Sequence, residues 1–298
     1  MRTLSKIDLR IFQLLKILLA ACLLTPLLAW SGTLFPYTAP KAFTFRVLVE
    51  IAAVLYLYLA LKYPAYFLPT LKKGGWGGFL ILSVLTFLVV NFLSALFGLD
   101  FYNSFWGNLE RMEGIWGLAH FVAWFFMLVG VMNTDAILTP LAPLYKVGQN
   151  SCPPYARFLP LHPPYAKGGW GVRLVQVSVF TSIIVAASAL VQRLGGLGAL
   201  LPPVDRVYGT IGNAGFFAGY LIFNIFLAGY LFLESIGRVK WLFAISSLLL
   251  SISLVFSGTR GAVLGLAAGI IVFLVSNFLA PPFLKGGREG FKSPLIPL

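Results

Sequence analysis

The sequence has 298 residues, of which 59% are hydrophobic and only 10% are charged. Because soluble domains carry about 25% charged residues, this composition excludes a soluble protein and predicts an all-α, polytopic membrane protein. In a membrane protein, a net charge of +13 is explained by Lys and Arg residues in cytoplasmic loops. We therefore expect the lipid bilayer, and no nucleic acid, as a partner. The two cysteines indicate neither a disulfide framework nor a metal cluster.

Eight apolar runs approach the roughly 20 residues that a membrane-spanning helix needs. The basic start of the chain leads straight into the first run, and no small-residue cleavage pattern follows, so we predict a spanning helix rather than a signal peptide. Residues 1–278 are thus expected to form one transmembrane domain of about eight helices. The runs lie at 11–30, 45–61, 79–97, 115–132, 174–191, 214–233, 241–257 and 261–278.

The last two runs are separated by "SGTRG", and Arg260 is the only charged residue between Trp241 and Phe278. A single helix over these residues would measure about 57 Å, nearly twice the roughly 30 Å of the hydrocarbon core. We therefore predict a helical hairpin that turns at residues 257–261, where two glycines allow a sharp reversal. This turn places Arg260 at an interface instead of the bilayer centre, where an arginine costs about 2.5–3.5 kcal/mol.

The distribution of basic residues predicts the orientation. With the N-terminus in the cytoplasm, sixteen of the 22 basic residues fall in cytoplasmic segments and six fall on the other side. Because cytoplasmic loops are enriched in Lys and Arg, we predict that both termini are cytoplasmic. The six extracytoplasmic basic residues are Lys41, Arg46, Arg111, Arg193, Arg206 and Arg260.

Three Lys-Gly-Gly elements, each preceded by prolines, lie in predicted cytoplasmic segments at 72–79, 166–172 and 284–291. Walker spacing and a preceding strand are both missing from the pattern, so it does not predict a nucleotide site. We interpret these elements as inserted loop sequence. A Pro/Gly-rich cytoplasmic insert is expected at 133–173, and a disordered low-complexity tail at 279–298.

The first predicted extracytoplasmic segment is "FPYTAPKAFTFRVLVEI", residues 35–51. Arg46 and Glu50 are spaced i,i+4 at the top of a helix, so they can form an ion pair that anchors the helix at the interface. The alternative is that Lys41 and Arg46 line an anion-binding site.

The second such segment, residues 100–120, places Glu110, Arg111 and Glu113 beside several aromatic residues. Membrane interfaces attract aromatic side chains, but this does not explain three charges within four residues. Two carboxylates and an arginine are expected to order a loop over a polar cavity, which we favour over a pair of glycosidase carboxylates. His120, inside the fourth run, is expected to be a neutral histidine bonded to a neighbouring helix.

The third segment, "VDRVYGTIGNAGFFAGYL", covers residues 204–221 and enters a helix through several glycines. Asn213 can cap this helix. A helix N-terminus at Gly212 and Asn213, next to Arg206, favours anions, and close helix packing is the alternative reason for the glycines. Arginine binds phosphate through a bidentate fork, so Arg206 and Arg260, with Lys41, Arg46 and Arg111, indicate a lipid pyrophosphate as ligand.

Four stretches resemble the signatures of the O-antigen ligase and O-antigen polymerase superfamily. They are "LFPYTAPKAFTFRVLVEI", "SFWGNLERMEGIWGLAH", "DRVYGTIGNAGFFAGYL" and "SGTRGAVLGL", in that order along residues 34–270. The resemblance implies a polytopic, metal-independent glycosyltransferase without a cofactor. Such enzymes move a glycan from undecaprenyl pyrophosphate to an acceptor, such as lipid A–core or a growing polysaccharide, on the extracytoplasmic face of the bacterial inner membrane.

The resemblance implies that Arg206 and Arg260 bind the pyrophosphate, and that Glu110, Arg111 and Glu113 order a loop or contact the acceptor. No residue of this chain matches the histidine base of the family. Because family members continue into further helices, the resemblance implies a truncated member, with a separately encoded C-terminal half as an expected partner. A transporter or a lipid-linked oligosaccharide flippase is the alternative function, and an inactive remnant of a split gene is a third.

Overall fold

The computed structural model describes residues 4–278 except 68–75, 109, 111, 139–168, 197, 199 and 236. Within this part of the chain all regular elements are helices, and no β-strand is present. The α-helices are α1 (Lys6–Ala21), α2 (Ala39–Lys62), α3 (Pro64–Phe67), α4 (Trp76–Leu96), α5 (Phe101–Trp106), α6 (Ile115–Leu138), α7 (Trp170–Leu194), α8 (Ala214–Glu234), α9 (Val239–Phe256) and α10 (Arg260–Phe278). Two 3₁₀ helices cover Cys22–Leu27 and Gly209–Ile211.

The all-helical fold is confirmed, and each of the eight apolar runs lies largely within helical structure. Among the described residues, six helices are long and apolar enough to span a bilayer. The first run is divided between α1 and the 3₁₀ helix that contains Pro26, and in α10 the apolar stretch Arg260–Val275 is shorter. A count of eight spans therefore stays a prediction. The six are Ala39–Lys62, Gly78–Leu96, Ile115–Asp135, Trp170–Leu194, Ala214–Glu234 and Val239–Phe256.

The described helices enclose three apolar cores, of which two are large. Phe12 and Leu15 of α1 pack with Val49 of α2 and Val131 of α6 in the first core. The second core joins α7, α8 and α9 through residues that are fully buried, among them Val185, Phe217, Leu221 and Leu250. Many large apolar side chains on the outer faces remain exposed, which suits helices that face lipid.

The turn between α9 and α10 confirms the predicted helical hairpin. Residues 257–259 separate the two helices, and Gly258 has a φ of 64°, which a residue with a side chain adopts only at a cost. Arg260 is the first residue of α10 and is exposed. The prediction that Arg260 and Gly261 belong to the turn is wrong, because both already lie in α10.

The prediction for the insert is only partly comparable with the structure. The helices α6 and α7 reach Leu138 and Trp170, so both extend into the segment 133–173 and leave a narrower connection than expected. Residues 139–168 and the predicted tail 279–298 lie outside the described residues.

A partly buried ion pair joins the middle of α1 to the end of α6 beside that connection. The Lys16 ammonium of α1 lies 2.6 Å from the Asp135 carboxylate near the end of α6. It also lies 5.6 Å from the centre of the Trp170 ring at the start of α7. We call Lys16, Asp135 and Trp170 the neck.

Candidate anion-binding cavity

The loops at one end of the helices contact each other, and we call this end the site end. It is the end at which α2, α6, α8 and α10 begin. The Tyr37 hydroxyl donates to the Leu200 carbonyl at 2.6 Å, and the Tyr37 and Tyr208 rings meet edge to face at 5.6 Å. Thr259 donates to the Ala214 carbonyl at 3.3 Å. The first, third and fourth of the quoted stretches thus contact one another at this end.

Lys41 sits in the first turn of α2, which begins with Ala39 and Pro40. Its ammonium donates to the carbonyls of Tyr37 at 2.5 Å and Thr210 at 2.6 Å. Since an ammonium has three donors, these two bonds fix its position against the loop that precedes α8. Lys41 therefore joins the first and third signature stretches.

Arg46 is a residue of α2, and its side chain reaches the segment just before α6. Its Nη2 donates to the Met112 carbonyl at 2.7 Å, and Met112 has a φ of 54°, the only positive φ among the non-glycine residues that the structure describes. The side chain passes close to Gly117, where an added Cβ would lie 3.3 Å from Nη2. Glycine at position 117 therefore leaves room for the guanidinium against α6.

The predicted ion pair between Arg46 and Glu50 is wrong. The two side chains form no ion pair within 4.0 Å, because Glu50 is bound elsewhere: its Oε1 lies 3.1 Å from His120 Nε2 on α6. The His120 Nδ1 lies 2.7 Å from the Trp116 carbonyl. A bond from His120 to a neighbouring helix was expected and is confirmed, whereas its partner Glu50 was not anticipated.

The geometry of His120 determines where its proton lies. A carbonyl oxygen can only accept, so the Nδ1 that faces Trp116 carries a hydrogen. The contact between Nε2 and Glu50 then needs one further proton, either on the imidazole or on the carboxyl group. In both forms the pair is neutral as a whole, which suits its place inside two span-length helices.

The entry to α8 is built as the sequence predicts, with one correction. Asn213 is the N-cap, and its Oδ1 accepts from the backbone N–H of Gly215 at 2.8 Å and of Phe216 at 3.2 Å. The cap therefore uses two of the N–H groups that were expected to bind an anion. Gly212 has a φ of 87°, and a Cβ added at this position would overlap the Tyr37 side chain, so close packing accounts for this glycine.

A cavity of about 960 Å³ opens at the site end and is lined by residues that pack in the first and second cores. Lys41, Arg46 and Glu113 lie on its wall, so the structure brings these three predicted site residues together. Polar and aromatic side chains complete the lining; they include Asn91, Ser94, Ser104, Ser178, Phe45, Phe87, Phe121, Trp124 and Tyr220.

The remaining predicted site residues lie elsewhere. Arg206 donates from Nε to the Ser257 carbonyl at 3.2 Å, so it contacts the turn that precedes Arg260. Neither arginine lines the cavity, and the cations form two groups instead of one. Glu110 is exposed, and Arg111 lies outside the described residues.

Sequence reasoning missed the polar residues of α4. Asn91 and Ser94 are spaced three apart in an otherwise apolar run, which puts them on one helix face, and both line the cavity. That spacing was a usable signal. Ser178 of α7, which also lines the cavity, donates to Asn224 at 2.8 Å and carried no comparable signal.

Burial and the neighbouring Tyr208 hydroxyl raise the pKa of Tyr37 from 10.0 to about 12. The Tyr37 hydroxyl therefore stays neutral at physiological pH and serves as a hydrogen-bond donor. Among the described residues, no cluster of three or more His, Cys, Asp or Glu side chains could hold a metal ion.

The cavity combines two cations, one carboxylate, several hydroxyl and amide groups and aromatic walls, a set that suits an amphiphile with an anionic, hydroxyl-rich headgroup. No family model, curated protein or solved structure matches the chain.

Proposed function

We propose that this protein belongs to the O-antigen ligase-like glycosyltransferases and transfers a glycan from an undecaprenyl-pyrophosphate carrier to lipid A–core or a growing polysaccharide. The observation that carries the proposal is the meeting of the four signature stretches at the site end. Residues far apart in the sequence join there through Lys41 with Thr210, Arg46 with Met112, and Arg206 with Ser257.

In the proposed reaction, an acceptor hydroxyl attacks the sugar carbon that is bonded to the pyrophosphate. The new glycosidic C–O bond forms, the C–O bond to phosphate breaks, and the hydroxyl proton leaves to a base that we do not assign. Lys41 and Arg46 stabilise the negative charge that remains on the lipid pyrophosphate. Asn91, Ser94 and Ser104, which also line the cavity, offer hydrogen bonds to sugar hydroxyls.

The proposal places the site end on the extracytoplasmic face of the bacterial inner membrane, with both termini cytoplasmic. The excess of basic residues in the opposite segments supports this orientation. Alkaline-phosphatase fusions at residues 108 and 260 are expected to be active, and a fusion at residue 160 inactive. Activity at residue 160 would contradict the orientation.

Binding of an undecaprenyl-pyrophosphate-linked glycan to the purified protein in nanodiscs tests the site. We expect Arg46→Gln and Lys41→Gln each to weaken binding by about tenfold, since one charge-assisted bond is worth roughly 1.5–3 kcal/mol. Lys240→Gln is the matched control, because Lys240 lies in the first turn of α9, at the other end of the helices. Equal affinity in all three variants would refute the site.

Arg206→Lys and Arg260→Lys test the second group of cations in the same assay. Lysine keeps the charge but loses the bidentate fork, so binding is expected to weaken by about tenfold if these arginines hold the pyrophosphate. Unchanged affinity would make them interfacial anchors. Transfer activity is tested by complementing a strain that lacks its O-antigen ligase, with this chain alone and with a separately encoded C-terminal half.

A transporter or flippase for a lipid-linked oligosaccharide is the second candidate. Two pairs of ionisable groups favour it: Lys16 with Asp135, and Glu50 with His120, the latter inside two span-length helices. Ionisable groups at such positions are typical of transport pathways. Movement of a labelled lipid-linked glycan across proteoliposomes, without glycan transfer to an acceptor, would favour this candidate.

A further inference from the structure

The contact that the Glu50 side chain makes determines whether the positive charge of Arg46 is neutralised within the protein. The two residues are four apart on α2, a spacing at which Glu and Arg side chains ordinarily attract each other. In the structure Glu50 turns to His120 instead, and Arg46 reaches the Met112 carbonyl on the cavity wall. A carbonyl satisfies one guanidinium donor without cancelling its charge, whereas a carboxylate would cancel it.

His120 is fixed firmly enough to hold the carboxylate. The side chain is buried, its Nδ1 is bonded to the Trp116 carbonyl at 2.7 Å, and its ring meets the Trp116 ring edge to face at 4.8 Å. These contacts leave Nε2 directed towards α2, at 3.1 Å from Glu50. The Glu50 side chain is otherwise open, with 56% of its surface exposed, so His120 is the contact that determines its position.

We infer that His120 is a positioning residue that holds Glu50 away from Arg46 and so keeps the Arg46 charge available to an anionic headgroup in the cavity. The inference rests on the proposed function for the identity of that headgroup, a lipid diphosphate. It assigns Glu50 and His120 no contact with the ligand, which agrees with their absence from the cavity lining.

The inference predicts an unusual order of affinities for undecaprenyl diphosphate, measured with purified protein in nanodiscs. His120→Leu frees Glu50 to pair with Arg46 and is expected to weaken binding by about tenfold, equivalent to about 1.4 kcal/mol. The double variant His120→Leu/Glu50→Gln has no carboxylate to compete and should bind as the wild type does. A general loss of structure cannot produce this recovery, because the double variant also lacks the bond between α2 and α6.

Two single variants complete the design. Glu50→Gln alone should bind at least as tightly as the wild type, since its amide can still donate to His120 Nε2. Asp135→Asn is the matched control: it breaks another polar contact of α6, at the neck, and should leave affinity unchanged. If His120→Leu binds like the wild type, or if the double variant binds no better than His120→Leu, the inference is refuted.

A second measurement keeps the inference testable even if the wild type binds no lipid diphosphate, the outcome that refutes the proposed function. Arg46→Met and Glu50→Gln are combined, and the melting temperature of each variant is measured. Their effects should be additive when His120 is present and clearly non-additive in the His120→Leu background, where the two side chains pair. Additive effects in both backgrounds would overturn the inference independently of any ligand.

Discussion

Replacing Gly212 by alanine should unfold the protein at a distinctly lower temperature. The residue has a φ of 87°, which costs a residue with a side chain about 1–2 kcal/mol. The new Cβ would overlap the Tyr37 side chain. Moving Tyr37 breaks its hydrogen bond to the Leu200 carbonyl and its edge-to-face contact with Tyr208, each worth about 1 kcal/mol.

Together these losses amount to about 3 kcal/mol, which corresponds to a melting temperature lower by about 6–12 °C. Thermal denaturation of the purified protein in detergent, followed by tryptophan fluorescence, measures the change. Gly219→Ala is the matched control, because a Cβ at that position of α8 meets nothing within 4 Å. Alanine there removes the flexibility of a helical glycine and should raise the melting temperature slightly.

Equal melting temperatures for Gly212→Ala and the wild type would refute the account of the Tyr37 contact. A similar fall for Gly219→Ala would also refute it, because the effect would then reflect glycine loss anywhere in α8. Since Gly212 borders the loop that fixes Lys41, Gly212→Ala should in addition weaken diphosphate binding at a temperature where the variant is still folded.

Three further predictions concern the α8 cap, the Tyr37 hydroxyl and the neck. Asn213→Ala removes the N-cap of α8 and should cost about 1 kcal/mol, seen as a lower melting temperature that Asn213→Asp restores. Because the pKa of Tyr37 is raised from 10.0 to about 12, its stabilising contribution is complete below pH 10 and lost as pH rises to about 12. The melting temperature of Tyr37→Phe should therefore change less with pH over that range than the melting temperature of the wild type. Replacing residues 139–168 by a short Gly-Ser linker should leave membrane levels unchanged, because Lys16 holds the flanking helices together, and a collapse in expression would show otherwise.

The helices were predictable because each follows from a local property of the sequence. Apolar length predicted the main helices, and the run from Trp241 was too long for one span, which placed the turn near Gly258. The cap at Asn213 also depends only on neighbouring residues. Such signals act within a few positions, so they can be read without knowing how the helices pack.

The partners of charged groups were not predictable in the same way. Arg46 and Glu50 have the right spacing for a pair, but His120, 70 residues further along, competes for the carboxylate and prevails. The Lys16 contact with Asp135 joins positions 119 apart. Local spacing shows which pairs are permitted, whereas the packing of α1, α2 and α6 decides which of them form.

The neck offers a way to study this small membrane protein by electron microscopy. A chain of 32.6 kDa with most of its mass inside a micelle gives images with few features by which particles can be aligned. One ammonium contacts both the end of α6 and the start of α7. These two helix ends are therefore held in fixed positions relative to α1. A rigid helical domain fused in frame after Leu138 and before Trp170 should therefore keep a constant angle to the cavity, whereas Lys16→Met in the same fusion should let that domain swing.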